Sequence, residues 1–371
     1  MKIVCYDKTV HKKRVKAIKR NADRYFCLEK LTDIQEITQL YRIELDFMEI
    51  EQHAHRLAKY EINKYLNNKS LVIKNIKVNN ALICSLLHNH SYFYHKALIK
   101  ELISLCNDNN ILLISNRFRN DELSCFVINE FNRLISAKNL IASIKNNILR
   151  IIQNRHFVND ALDENVVQIE SLTAFRLFRY YFPKNKKYQF IVDRRAENNR
   201  TKQFYRTINC RKIKVKEFRN KYAKQTIIEL LKFYIPRIIK MITYQDFMIM
   251  NKMHYIIAET IRIDRMFKES SIKNYIIACE YNFKSHLIAQ LGKKYEINII
   301  NFQHGGVYLA DYNFDVFILM GHVFKSYYLE NTNSNESQFF ILGNPYIENE
   351  KTYTVKSKKK KKILFADQYI Q

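Results

Sequence analysis

The chain predicts an α/β fold, a largely parallel sheet flanked by helices, with a helical extension at the amino terminus. Three observations carry this prediction. Short β-branched apolar runs such as Ile297–Phe302 and Asp315–Met320 alternate with longer stretches of helical periodicity. Only five glycines occur, and four of them (Gly305, Gly306, Gly321 and Gly343) punctuate the ends of predicted strands. Finally, 47% apolar and 26% charged residues over 371 positions suit a globular chain with a large core in one or two domains.

Residues 1–75 read as the basic helical extension. Thr32–Tyr65 has helical spacing, with Ile34, Ile37, Leu40, Tyr41, Leu45 and Met48 largely on one face. His53 and His55 stand at i, i+2 on that helix, which is not metal-ligand spacing. Residues 76–350 read as the α/β domain. Ala81–Leu87 is the first strand, His88–Ser91 a loop, Tyr92–Cys106 an amphipathic helix and Ile111–Ser115 the next strand. That is a βαβ unit with a right-handed crossover. It places His88 and His90 at a carboxyl strand end, where helix capping and loop solvation are the plain alternatives to substrate contact.

Asp121–Phe182 is mostly helical by pattern. Tyr188–Val192 is a strand running into Asp193-Arg194-Arg195, with Arg200, Arg206 and Arg211 beyond. Arg194 and Arg195 suit bidentate phosphate binding, or simply a solvated loop. Glu217–Arg265 is a long helical region that Pro236 should kink or break. Lys273–Cys279 is a strand followed by Glu280-Tyr281-Asn282, and Phe283–Leu291 a helix closed by Gly292. Ile297–Phe302 then runs directly into Gln303-His304-Gly305-Gly306. The Asp315–Met320 strand ends at Gly321, His322–Leu329 is a helix, and the Gln338–Leu342 strand ends in Gly343-Asn344-Pro345. Residues 351–371 read as a Lys-rich linker and, at Ile363–Ala366, the start of a further strand.

The formal net charge of +26 favours anionic partners: nucleotide phosphates, anionic lipid headgroups or nucleic acid. Lysine is spread along the chain, so a solvated basic surface accounts for it as well. No helix-turn-helix, zinc or RNA-recognition signature is visible, so nucleic acid is not the expected partner. Seven cysteines at 5, 27, 84, 106, 125, 210 and 279 form no CxxC pair, which argues against a disulfide framework or a zinc site and for a reducing compartment. Met1–Arg14 is charged and lacks the apolar core of a secretory signal. No apolar run approaches the ~18 residues of a membrane span. The expectation is a cytoplasmic protein, peripheral at the inner face of the membrane.

The chemistry concentrates after Phe302. A histidine on a glycine turn at the carboxyl end of a buried strand stands where open α/β sheets bind ligands. The ordered set from Tyr275 to Pro345 resembles bacterial glycosyltransferases of the GT-B architecture that build surface polysaccharides. Its members are the Ile276–Ala278 strand, Gln303-His304-Gly305, Asp315–Gly321 and Gly343-Asn344-Pro345. Capsule and teichoic-acid polymerases that transfer glycerophosphate from CDP-glycerol carry a similar His-Gly. The resemblance implies a Rossmann-like, acceptor-side domain, the amino-terminal half of a GT-B enzyme. His304 would be the general base on the acceptor hydroxyl, and Gln303 would bind the acceptor or orient the ring. Gly305 and Gly306 would let the backbone approach substrate, with His88, His90, Glu280 and Asn344 completing the substrate set. No metal and no cofactor is implied beyond a nucleotide-sugar as donor substrate; the acceptor is a glycan or a lipid-linked glycan. In that family a second domain binding the donor nucleotide follows the "GNP" strand. Here it would begin at Lys362-Ile363-Leu364-Phe365, so donor-binding residues are not assigned. The alternatives are a polyol-phosphate transferase and an inactive truncated remnant or non-enzymatic acceptor-binding partner.

Overall fold

A computed structural model describes residues 2–66, 72–87, 92–108, 110–129, 164–169, 188–192, 211–213, 223–238, 243–278, 282–303, 314–332 and 334–343, with parts of 141–149 and Ala174 and Phe178. In chain order the amino-terminal elements are β1 (Ile3–Tyr6), α1 (Lys12–Asn21), β2 (Arg24–Cys27), α2 (Leu31–Tyr41), α3 (Phe47–Tyr65), β3 (Val72–Ile73) and β4 (Ile76–Lys77). Then come α4 (Asn79–Leu87), α5 (Tyr92–Cys106), β5 (Ile111–Ile114) and β6 (Phe126–Ile128). The second half holds β7 (Asn165–Ile169), β8 (Gln189–Val192), β9 (Arg211–Ile213), α6 (Ala223–Ile238) and α7 (Tyr244–Lys268). It continues with β10 (Asn274–Ile277), α8 (Phe283–Lys294), β11 (Asn298–Phe302), β12 (Val316–Leu319), α9 (His322–Asn331) and β13 (Phe339–Ile341). The fold is α/β and Rossmann-like, with two parallel sheets flanked by helices.

The first sheet has the order β2-β1-β5-β6 and is parallel throughout, Ile3 standing opposite both Arg24 and Ile111. The amino-terminal region is therefore more than a helical extension. All four residues of β1 are buried, because helices cover both faces of a parallel sheet and its central strands read as unbroken apolar runs. The helical spacing of Thr32–Tyr65 resolves into two helices. Arg42 adopts a left-handed conformation (φ 53°) and returns its N–H to the Gln39 and Thr38 carbonyls, ending α2. Asp46 then accepts hydrogen bonds from the Met48 and Glu49 amides and starts α3.

Ala81–Leu87 is helix α4 and not a strand. Six of its nine residues are buried, Ala81 through Leu86, and it packs against α3, α7 and α8. A helix enclosed on every side carries no polar stripe, so its seven apolar-rich residues imitate a buried strand. The expected βαβ unit from Ala81 to Ser115 accordingly dissolves. Its second strand, β5, pairs with β1 in the first sheet, whereas β11 lies in the other sheet.

The second sheet has the order β13-β12-β11-β10-β7-β8-β9 among the described residues, again parallel throughout. The chain moves outward from β7 to β9, returns to β10 on the other side of β7, and moves outward again to β13. This is a doubly wound sheet whose order reverses between β7 and β10. The helical expectation for Asp121–Phe182 is corrected at β6 and β7. The polar residues of β7 find cross-strand partners. Asn274 donates its side-chain amide to the Asn165 side-chain oxygen at 2.8 Å, Asn298 donates to Asn274 at 3.0 Å, and the Tyr275 hydroxyl donates to Gln168 Oε1 at 2.5 Å.

One face of this sheet and α4, α7 and α8 enclose the main core, which includes Tyr275, Ile299, Phe317 and Leu287. The other face buries Val167, Phe190, Ile276 and Phe302, with Phe178 edge-on to Phe302. Helix α6 contains Pro236 and ends at Ile238, two residues later; α7 opens on a Thr243–Asp246 capping box. Gly292 lies inside α8 rather than closing it, since Tyr295 is the C-cap. A Cβ at Gly292 would collide with the Ile299 side chain and sit 3.0 Å from the Ile297 carbonyl oxygen. The glycine is there so that α8 can lie close on β11. No helix among the described residues is long and apolar enough to cross a membrane.

Candidate functional site

Two strand-order reversals give two carboxyl edges where ligand chemistry would be sought. In the seven-stranded sheet the order reverses between β7, ending at Ile169, and β10, ending at Ile277, with β11 one place along. Gln303 directly follows β11 and is 1% exposed. Its backbone N–H donates to the Ile318 carbonyl at 2.8 Å, and its side-chain Oε1 accepts the Met320 N–H at 2.9 Å. Gln303 thus continues the β11–β12 ladder past the end of the strands and ties the two carboxyl ends together. Asp315 does the same at the other end. Its carboxylate accepts the Ile299 N–H at 2.8 Å, and its own N–H donates to the Ile299 carbonyl at 3.1 Å. The first residue of the Gln-His-Gly-Gly sequence is therefore a rigid anchor, with one side-chain atom committed to the fold.

The remaining predicted site residues lie outside the described residues: His304, Gly305, Gly306, His88, His90, Glu280, Asn344, Arg194 and Arg195. The neighbouring Asn282 is described, and caps α8 by accepting the Lys284 and Ser285 amides at 2.6 and 3.1 Å. Of the predicted set, then, only Gln303 has a described geometry.

The second edge belongs to the four-stranded sheet, whose order reverses between β1 and β5. Asp7 follows β1, Glu29 follows β2, and Ser115 to Arg117 follow β5; α5 lies across them with His95 and Lys96. Asp7 is fully buried. One of its oxygens accepts the Thr9 amide at 2.8 Å and the Thr9 hydroxyl; the other accepts the Ser115 hydroxyl at 2.5 Å and stands 3.6 Å from Arg117 Nη1. Arg117 Nη2 donates to Glu29 Oε1 at 2.6 Å, and the other Glu29 oxygen accepts the Lys8 amide at 2.8 Å. His95 Nε2 lies 3.7 Å from Glu29 Oε1, the oxygen that Arg117 holds. Ser115 Oγ accepts the Arg117 amide at 3.0 Å.

Arg117 is 8% exposed, and its Nε meets no hydrogen-bond acceptor among the described residues. Burial alone would lower its pKa, but the Asp7 and Glu29 carboxylates outweigh that and raise it. The guanidinium sits 5.5 Å above the Tyr92 ring, and Tyr92 in turn stacks on Tyr244 of α7 at 6.0 Å. Burial pushes both phenols up, Tyr92 furthest. Three loops, α5 and the start of α7 therefore converge on one charged group, which fixes the carboxyl edge of the first sheet against the second half of the chain.

Sequence reasoning missed Asp7, Glu29 and Arg117. A signal existed: Ile3–Tyr6 ends in Asp7, and Ile111–Ile114 ends in Ser-Asn-Arg. Each is an apolar run closed by a polar residue at a strand end. No group of three or more His, Cys, Asp or Glu placed to hold a metal occurs among the described residues. Compared with protein-family models, curated proteins and solved structures, the chain finds no match.

Proposed function

We propose that the protein is a glycosyltransferase of cell-surface polysaccharide synthesis, transferring a sugar from a nucleotide-sugar to a glycan or lipid-linked acceptor. The observation that carries the reading is the position of Gln303. It anchors the carboxyl end of a central strand in a doubly wound parallel sheet, one strand from the order reversal, and His304-Gly305-Gly306 follow it in sequence. In this reading His304 takes the acceptor hydroxyl proton as the oxygen attacks the anomeric carbon. The bond from that carbon to the donor phosphate oxygen breaks, and the nucleotide leaves with the electron pair. Glycines after the histidine leave room for substrate, and the basic chain attracts the anionic donor from solution. The protein works in the cytoplasm at the inner face of the membrane, where lipid-linked acceptors are presented.

The test is transfer of radiolabel from a panel of nucleotide-sugars to lipid-linked acceptors in isolated membranes. In a version carrying a complete donor-binding domain after Lys362, label should pass from one donor class, and His304→Ala should lower the rate at least about 100-fold. Label moved from CDP-glycerol instead would make the protein a polyol-phosphate transferase. No transfer from any donor, or full activity in His304→Ala, refutes the assignment of His304 as base.

A further inference from the structure

Helix α6 carries an apolar stripe that stays exposed to solvent in part. Its inner face is buried through Thr226, Leu230, Phe233 and Tyr234. On the opposite side Ile228, Leu231 and Ile235 are 43%, 38% and 62% exposed. Their i, i+3, i+7 spacing lines them along one edge of the helix. Lys224 and Lys232 are exposed on the same side, and Lys232 forms a surface ion pair with Glu229 at 3.2 Å. In sequence, the fourteen residues from Arg211 to Lys224 hold seven Lys or Arg and a single acid, Glu217.

From this face we infer that α6 docks on an anionic lipid surface, lying in the headgroup plane with Ile228, Leu231 and Ile235 inserted. Three aliphatic side chains fall far short of the roughly 800 Å² per partner that a stable protein interface buries. The same three chains, flanked by lysine in a chain of net charge +26, fit reversible interfacial binding, in which apolar insertion and attraction to anionic headgroups add. The stripe is half-exposed on one side of a helix whose other side is core, so α6 can lie on a bilayer without unfolding. The inference rests on the helix face and not on the transferase reading.

The test is flotation of the full chain with phosphatidylcholine vesicles and with vesicles containing 30% phosphatidylglycerol, at low and at high salt. Wild type should float with the anionic vesicles, about tenfold more tightly than with the neutral ones, and be released as salt rises. The triple variant Ile228→Ser, Leu231→Ser, Ile235→Ser removes no charge and should bind at least about tenfold more weakly. Serines at exposed Phe47, Met48 and Tyr60 on α3 should leave binding unchanged. Equal binding by the α6 triple variant, or no preference for anionic vesicles, overturns the proposal. So does a dimer that the triple variant converts to monomer while vesicle binding stays the same, which would make the stripe a contact between copies. The assay contains no nucleotide-sugar, so its outcome and that of the transfer assay are independent.

Discussion

Replacing Arg117 with methionine isolates what the buried charge cluster contributes. Methionine keeps much of the side-chain volume over Tyr92 but removes the cation between two carboxylates, of which Asp7 is fully buried and the Glu29 side chain 1% exposed. The variant loses the 2.6 Å bond to Glu29 and the 3.6 Å ion pair to Asp7. Breaking a buried pair by removing one partner costs about 3–5 kcal/mol, chiefly because the other charge is left uncompensated. At about 2.1 cal/mol/K per residue a chain of 371 residues loses roughly 1.3 °C of Tm per kcal/mol, so the expected drop is about 4–6 °C. Thermal and urea denaturation followed by circular dichroism measure it. Arg117→Lys, which keeps the charge and loses the planar fork, should fall between the two. A loss under about 1 kcal/mol would show that the cluster is solvated and that its charges do not hold the edge of the sheet.

Three further outcomes are expected. Gln303→Leu deletes the acceptor of the Met320 N–H and should cost about 1–3 kcal/mol in urea unfolding; a neutral result would mean that the amide finds another partner. Gly292→Ala pushes a methyl group into Ile299 and should cost about 1–3 kcal/mol. Most of that should return in the double variant with Ile299→Ala, and strictly additive losses would contradict the close helix–strand approach. Cys5, Cys27, Cys84, Cys106 and Cys125 are all buried. Burial pushes the Cys106 thiol up to about 12 and that of Cys5 higher still. Iodoacetamide at pH 8 followed by peptide mass mapping should therefore leave these five unmodified in the native protein and label them in urea.

The strands legible in the sequence share a property. β8, β10, β11, β12 and β13 are short β-branched or aromatic runs bounded by charged residues, asparagine or glycine, and each was placed within a residue or two. α5 was placed to the residue, because its fifteen positions show a helical period and its neighbours break it. Three of the elements that were not legible give the reason. Ala81–Leu87 carries no polar stripe, because α3, α7 and α8 cover it all round. β1 is four residues in a lysine-rich stretch, too short for a period to show. β7 contains Asn165 and Gln168, whose polarity argues against a buried strand until their partners are known.

The candidate sites divide in the same way. The Gln-His-Gly-Gly sequence was visible because it is contiguous and glycine is so rare in this chain. The Asp7–Glu29–Arg117 cluster was not, because its members lie up to 110 positions apart and each, taken alone, is an ordinary surface residue type. The sequence by itself determined the α/β class and the strands β8, β10, β11, β12 and β13, since these depend on local period. Only the tertiary structure decided that there are two sheets, that β7 and β10 adjoin where the strand order reverses, and that Gln303 anchors β11 to β12. Pairing and burial of this kind are long-range: a buried polar group is tolerated only where a distant residue satisfies it, and no window of neighbouring residues records that partner.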